Sequence, residues 1–583
     1  MDTETTTIKE GIQNFIVGGI YDGKITSITY SIKELIQQLL MSQTKYCYIH
    51  NLSYDYRFLL DELENMGISQ KIITSNSQIL SSKLYLKNKC VCELRDSYAI
   101  TRHSLKNLCK HMSIIKSKKE YDYTKLDKIT DYTNILNKTD REELEEYLKY
   151  DLWSLYEILI HFHKFYDRTS LGLTTASNSM QEFESSNKEE IKQNSVYDSF
   201  FRLSYHGGLT QVYKPFFTSE HNDYSEDHLY YYDVNSLYPF VMQNNTYPTG
   251  KIKVIDSLNI NDCNDNFLCK AKIEIKEDYN PSIPIFNNNI LCFPKGKIKG
   301  FFTSIEIKYA IEKGYNIDIE KLWSFENDSF IFTDFISKYY KLRKEYKKDD
   351  PENLIAKLTM NSLYGKFSQR DIHSETVIVN NEDISSFLNE NVFNLKKRVT
   401  PILMKEEGIS NNIFTVENSE KKSYTQTHIS CFITANARDL MFKKIDEILK
   451  EGYDVYYCDT DSIITNKKMA SGIELGEFKL EDRIIKGVFP LGKTYAYINS
   501  ENKEVVKTKG FFKKFCYQDI NDFIVKDRPL ESKELYTSSL KKILKKYVGK
   551  TECYNLEKKM QFSKIFLKRK YDIKNNKTTP III

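Results

Sequence analysis

Two carboxylates, Asp459 and Asp461, stand one residue apart in the otherwise apolar string VYYCDTDSII, and a third, Asp233, closes the aromatic run YYYD. No other feature restricts the fold as strongly, because each string reads as a strand that ends on negative charge. Strand side chains alternate, so Asp459 and Asp461 project from one face and repel unless a cation lies beside them. A metal site is one reading. A polar hairpin tip is the other, since D-T-D is also good turn chemistry. Asp233 is followed at once by a turn and a helix start with Ser236 as a candidate cap. It can therefore reach a shared metal site or merely cap the next helix.

With 583 residues, the chain is too long for one hydrophobic core, and several domains are expected. A hydrophobic content of 40% with 28% charged residues describes a soluble globular protein. No run of about 18 apolar residues occurs, so a spanning helix and a membrane partner are not expected. Neither a signal peptide nor an Arg-rich presequence is visible. The net charge of +4 decides little, but its distribution says more. Past Glu481, about two dozen Lys and Arg face about eleven Asp and Glu, which suits a polyanion partner or a solvated Lys-rich surface. The 11 cysteines are scattered without a C-x-x-C pair, which argues against structural zinc or a disulfide framework and for a reducing compartment. Abundant Lys, Asn, Ile and Tyr with only 2 Trp look like translation of an AT-rich gene.

Along the chain, residues 1–30 read as strands joined by tight turns, 45–49 as a further strand, and helices begin near Asp55 and span 141–163. That alternation predicts an α/β domain ending near Phe165. The polar stretch 167–194 reads as a linker. A long helical pattern over 333–364 is expected to break at or just after Asp350, ahead of Pro351. Residues 369–422 are polar and insertion-like.

Two further constellations carry chemistry. In KLTMNSLYGKF, Lys357, Asn361 and Tyr364 share one helical face. A cation, an amide and a ring suit a triphosphate and a stacked base pair, or else an ordinary partly exposed helix. In the first domain, Asp2 and Glu4 alternate onto one strand face, Asn51 and Asp55 lie in HNLSYD, and Tyr147 and Asp151 share a helix face. Four carboxylates with a tyrosine could bind two divalent ions about 3.5–4 Å apart and activate water for phosphodiester hydrolysis. Surface acidity is the ordinary alternative for each pair.

Taken together and in order, these strings resemble family B DNA polymerases, and within them the protein-primed group of linear plasmids, viruses and organelles. The matching strings are DTET, HNLSYD and YLKYD for the exonuclease, and YHGG, DVNSLYP, KLTMNSLYG, TANAR, YCDTDS and KTY for the polymerase. The resemblance implies an α/β and α+β multidomain chain: an RNase H-like 3′–5′ exonuclease domain over 1–165, a linker with a YxGG-type element over 166–229, palm and fingers over 230–482, and a thumb over 483–583. The fingers would occupy about 333–368, between insertions at about 242–332 and 369–423.

It also implies roles. Asp233, the Val234 carbonyl and Asp461 resemble the ligands of a Mg²⁺ (or Mn²⁺) pair, with Asp459 adjacent; a second pair of ions would sit on Asp2, Glu4, Asp55 and Asp151, with Tyr147 orienting the attacking water. Lys357, with Lys341 or Arg343, is expected on the triphosphate. Tyr238 resembles a sugar-selecting ring, and Asn361 and Tyr364 would line the nascent base pair. Lys493 and Tyr495 look like holders of the primer end, and Thr434 and Arg438 like template or primer contacts. Tyr205, Gly207 and Gly208 resemble the element that coordinates the two activities. Thr5, Asn51 and Tyr54 resemble single-strand contacts. Lys116 resembles a catalytic lysine of the protein-primed group, although neighbouring Lys118 and Lys119 leave the register open.

Implied partners are primer–template DNA, dNTPs and a terminal priming protein, with the chain itself a monomer. Mitochondrial coding is expected, with a virus or a cytoplasmic linear plasmid as alternatives. Rival readings are a reverse transcriptase or RNA polymerase, against which Tyr238 and the exonuclease strings argue, and a decayed remnant that only binds nucleic acid, against which the intact carboxylates argue. One departure stands out. Family members normally carry several residues before the first exonuclease strand, and here the motif aspartate is residue 2. The strand bearing Asp2 and Glu4 is therefore expected to lack what locks it into a sheet, implying an N-terminally incomplete product or an impaired exonuclease.

Overall fold

The structure, a computed structural model, describes the chain apart from residues 7–10, 76–77, 115–118, 123–124, 127–137, 220–227, 371–372, 404–410, 419–424, 512–513, 538–543, 545–553 and 563–567. Lys116 and Lys118 lie outside the described residues. Lys119 donates to Glu146 at 2.7 Å. Among the described residues, no helix is long and apolar enough to cross a membrane.

The N-terminal domain is α/β. Strands Asp2–Thr5, Phe15–Tyr21 and Thr26–Thr29 form an antiparallel sheet, and Tyr46–Ile49 runs parallel to Lys89–Asp96. The helix Lys138–Tyr166 packs on them because Leu144, Leu148, Leu152, Leu155, Leu159 and Phe162 recur at helical spacing and are all buried. The first strand is not left loose, contrary to expectation. Asp2 pairs with Gly19, Thr3 with Gly18 and Glu4 with Val17, while the Met1 amine donates to the Tyr48 carbonyl at 3.0 Å.

The centre of the molecule is an 8-stranded antiparallel sheet whose inner strands include Phe478–Leu491, Leu229–Val234, Ser462–Thr465 and Val455–Asp459. Helix Thr427–Lys450 lies in the same hydrophobic core, with Ile429, Phe432, Ile433, Met441 and Phe442 buried. Truncating one such phenylalanine costs about 3–5 kcal/mol, through reduced burial and the cavity left behind.

Several expected boundaries move. The stretch read as a linker holds the helix Thr175–Ser186, whose N-terminus is capped by Thr174 accepting from the Ser177 amide, and the strand Thr210–Val212 at the edge of the central sheet. Position 483 falls inside the strand Phe478–Leu491, so the central sheet continues through Thr494–Asn499 and Glu504–Thr508 before the C-terminal elements begin. The first insertion is a separate 4-stranded sheet, Ile252–Ile255, Asn316–Phe325, Phe267–Ile275 and Gly296–Thr303, with helix Ser304–Glu312. The second is no polar excursion. Its strand His373–Asn380 pairs with Ser69–Ser75 and extends the N-terminal domain's sheet to 7 strands. The helical pattern over 333–364 becomes Thr333–Glu345 and Pro351–Ser362. The first half stops short of the expected break, and Pro351 opens the first turn of the second.

Candidate active site

Asp233 lies next to last in the strand Leu229–Val234, opposite Ser462, and the Val234 amide donates to the Asp461 carbonyl at 2.7 Å. Strands remote in sequence thus place the two aspartates side by side. Asp459 and Asp461 do not share a strand face. Asp459 closes one strand, Thr460 turns through a left-handed conformation at φ 60°, and Asp461 sits in the hairpin turn. Both sequence readings therefore hold at once: a hairpin tip that carries carboxylates to the mouth of the sheet.

The three acids meet different surroundings. Burial, then the Asp461 charge, pushes the Asp233 carboxyl up to about 7. Burial also raises Asp461, with Asp459 adding to the effect and Lys493 opposing it. Asp459 has ordinary protein partners: Lys493 Nζ at 2.7 Å and the Thr210 hydroxyl at 2.9 Å. Among the described residues, Asp459 is the one of the three acids that a lysine bonds directly. Ser236 is no cap. It sits at the helix N-terminus at φ 53° without a capping bond, and its hydroxyl accepts from Arg343 at 3.2 Å.

Arg343 and Lys357 face this cleft. Desolvation lowers the Lys357 ammonium, Arg343 and Lys348 add to that, and Asp233 and Glu481 pull it back. Lys341 points elsewhere, 79% exposed on its side chain and 3.8 Å from Glu345, so of the two expected cations only Arg343 reaches the site. The rings of Tyr238 and Tyr364 stack at 4.2 Å, with Asn361 half-buried one turn before.

Three expected nucleic-acid contacts are placed inside the protein instead. Thr434 is 1% exposed and donates within its own helix to the Ser430 carbonyl. Arg438 is 2% exposed and donates to the His206 and Gly207 carbonyls and to Glu306. It holds the Tyr205–Gly208 element from behind, and breaking a buried ion pair of this kind costs about 3–5 kcal/mol. Tyr495 is buried among Tyr457, Phe489 and Tyr497. Lys493 is half-buried and engaged with Asp459. Tyr205 is half-buried and Gly207 is open, whereas Gly208 abuts the carboxylate hairpin: a Cβ there would meet Thr460 Cγ2 at 2.8 Å.

In the N-terminal domain, carboxylate oxygens of Asp2, Glu4 and Asp151 all lie within 4.8 Å of one another. Asp55 adjoins this group. It accepts from Thr3 at 2.5 Å, and burial, reinforced by the Asp2 charge, raises its carboxyl far above the usual range. Three acids converge and the fourth stands beside them. Tyr147 is buried against the Tyr121 ring. The hydroxyls of Thr5 and Tyr54 are bonded to each other, and Asn51 stands exposed at φ 67° before the helix Leu52–Asn65. Lys568 and Thr210, beside Asp459, escaped the sequence reading. Neither lies in a distinctive string, and only the folded strand order brings them there.

This fold has a solved counterpart. The structure superposes on phi29 DNA polymerase in its complex with primer-template DNA and incoming nucleotide with a TM-score of 0.71, 19% identity, and 97% and 98% of the two chains covered. The fold is thus that of a polymerase with exonuclease, palm, fingers and thumb. Residues 36–450 match the family described as DNA polymerase type B, organellar and viral, and the chain belongs to that family. It is 30% identical over 416 residues to a probable DNA polymerase of Podospora anserina, covering 64% of this chain and 34% of that one. It is 25% identical over 563 residues to a probable DNA polymerase of Neurospora intermedia (83% and 55%). To the DNA polymerase of Bacillus phage phi29 it is 28% identical over 502 residues (79% and 78%). The chain spans between about a third and just over half of the length of these two fungal relatives.

Proposed function

We propose that this chain is a template-directed DNA polymerase with a separate 3′–5′ exonuclease centre. The meeting of Asp233 and Asp461 at the mouth of the central sheet carries the reading. Two neighbouring carboxyls, both raised by burial and Asp233 further by the Asp461 charge, have the donor chemistry of a divalent-cation site, and the Asp2, Glu4 and Asp151 group fits one equally well. Asp233, Asp461 and the Val234 carbonyl would hold Mg²⁺ or Mn²⁺ in the central cleft, and Asp2, Glu4, Asp55 and Asp151 would do so in the N-terminal domain. Bound there, such ions would lower the pKa of the primer hydroxyl or of water and neutralise phosphate charge.

The chain's own residues bind and orient. Lys357 and Arg343 would take the triphosphate by charge. The Tyr238 ring, braced flat against Tyr364, would exclude a ribose 2′-hydroxyl, and Asn361 would border the base pair. Lys493 would hold Asp459 and the primer end together. Arg438 would act on the template through the backbone of His206 and Gly207. Tyr54 and Asn51 would meet a single strand entering the second centre.

Replication of a linear, protein-primed element, in a mitochondrion, a plasmid or a virus, belongs to the same proposal and is supported by the family to which the chain belongs. Primer extension with dNTPs and rNTPs on DNA and RNA templates tests the reading: dNTP incorporation on DNA is expected, and rNTP preference would overturn it. Incubation with a candidate terminal protein and no oligonucleotide should attach dNMP covalently to that protein; its absence would remove protein priming and leave the polymerase standing.

A further inference from the structure

The chain's last segment returns to the centre of the molecule. Arg569 is 1% exposed and donates to Gln211, the Tyr279 carbonyl and Thr578. The Thr578 hydroxyl donates to the Val212 carbonyl at 2.7 Å, and Asn576 exchanges two bonds with Phe216, each of 2.8 Å. The strand Thr210–Val212 and the turn after it are thereby clasped along one side by residues 568–578. Beside Arg569, the clasp brings Lys568 to the same strand. Lys568 Nζ donates to the Thr210 carbonyl at 3.1 Å, and the hydroxyl of that same Thr210 donates to Asp459 at 2.9 Å. Asp459 also takes the Lys493 ammonium at 2.7 Å. Lys568 is half-buried, within the field of both Asp459 and Lys493, and its desolvation disfavours the charge that Asp459 restores.

We propose that Lys568 is a positioning residue of the polymerase centre: by fixing Thr210 it sets where Asp459 and Lys493 stand, without touching the strand or the nucleotide. The inference rests on the polymerase reading above. A lysine from a basic C-terminal region invites the simpler role of binding a DNA phosphate, and the two roles differ in what they change. Removing a phosphate-binding lysine weakens DNA binding and reduces its salt dependence by about one unit of slope. Removing a positioning residue leaves binding alone and slows the step that the displaced groups serve.

The test uses the full-length chain carrying Lys568→Met, Lys568→Arg or Thr210→Val. Single-turnover extension and the salt-dependent Kd for primer–template are measured beside degradation of single-stranded DNA as a control for folding. Lys568→Met is expected to slow extension on the order of ten-fold, with Kd, its salt slope and degradation unchanged. Lys568→Arg should recover most of the rate. Thr210→Val should reproduce the defect, and the double variant should be no worse than the worse single one. A raised Kd with a shallower salt slope, or additive losses in the double variant, would overturn the inference, as would an unchanged rate. A wild-type chain that degrades DNA but extends no primer would instead overturn the polymerase reading beneath it.

Discussion

The two acidic centres are built from the same side chains and handled in opposite ways. In the N-terminal domain, Glu4, Asp55 and Asp151 are buried and Asp2 is half-buried, with carboxylate oxygens of Asp2, Glu4 and Asp151 within 4.8 Å of one another. In the central sheet the acids are distributed: Asp459 is matched by Lys493, and only Asp233 and Asp461 are left facing the cleft. A buried acidic cluster gains stability as well as chemistry from a cation bound from outside. An open, half-compensated cluster can exchange its ion and its substrate while the surrounding protein holds its shape. The difference is one of burial: Glu4, Asp55 and Asp151 lie deeper in the protein than Asp233 and Asp461, so a bound cation should matter more for the stability of the N-terminal domain.

The sharpest way to break this comparison is to remove one acid from each centre. Asp461→Ala should lower primer extension by at least about a hundred-fold while degradation of single-stranded DNA persists, and Asp151→Ala should do the reverse. A folded variant that loses both activities from one substitution would dissolve the distinction between centres. Next in size, Lys493→Met leaves Asp459 without its cation. Extension should fall on the order of ten-fold in single-turnover measurements, with degradation unaltered. Smaller still, Gly208→Ala should press on Thr460 and shift the carboxylate hairpin. Overpacking of this kind costs about 1–3 kcal/mol, so a few-fold slower extension and a lower Tm are expected, again sparing degradation.

The smallest effect concerns pH, measured on chelated protein. An aspartate near 3.8 in the unfolded chain that rises to about 7 when folded, as Asp233 does, binds more protons in the folded state between those values. Stability therefore falls as pH rises through that window, and the penalty is complete above it. Asp55 contributes with the same sign and from deeper burial. Thermal unfolding at about pH 5 and about pH 8 should show a lower Tm at the higher pH, and saturating Mg²⁺ should raise Tm more there. Asp55→Asn should flatten this dependence more than Asp233→Asn; equal flattening would mean that the two centres are equally open.

Much of this was legible in the sequence because the candidate site residues lie in short strings. Asp233, Asp461, Lys357 and Tyr238 declare themselves by the residues around them, and the strands and helices bearing them follow from local pattern. What was hidden depended on distant pairing. Nothing near Arg438 announces that its guanidinium turns inward to two carbonyls, and TANAR reads equally well as a surface contact. The strand His373–Asn380 looks like polar filler until Ser69–Ser75 offers it an edge. Asp459 and Asp461 read as one strand face because the φ of Thr460, which sends them apart, is fixed by Leu209 accepting its amide across the sheet at 2.6 Å.

The central proposal is that Asp233 and Asp461 share divalent ions while Lys493 holds Asp459. Crystals of the chain grown with primer–template, a non-hydrolysable dNTP and Mn²⁺ would show this by anomalous scattering. Manganese bridging the Asp233 and Asp461 carboxylates, with Lys493 still seated on Asp459, is the predicted result. Manganese on Asp459 with Lys493 displaced, or none between Asp233 and Asp461, would contradict it.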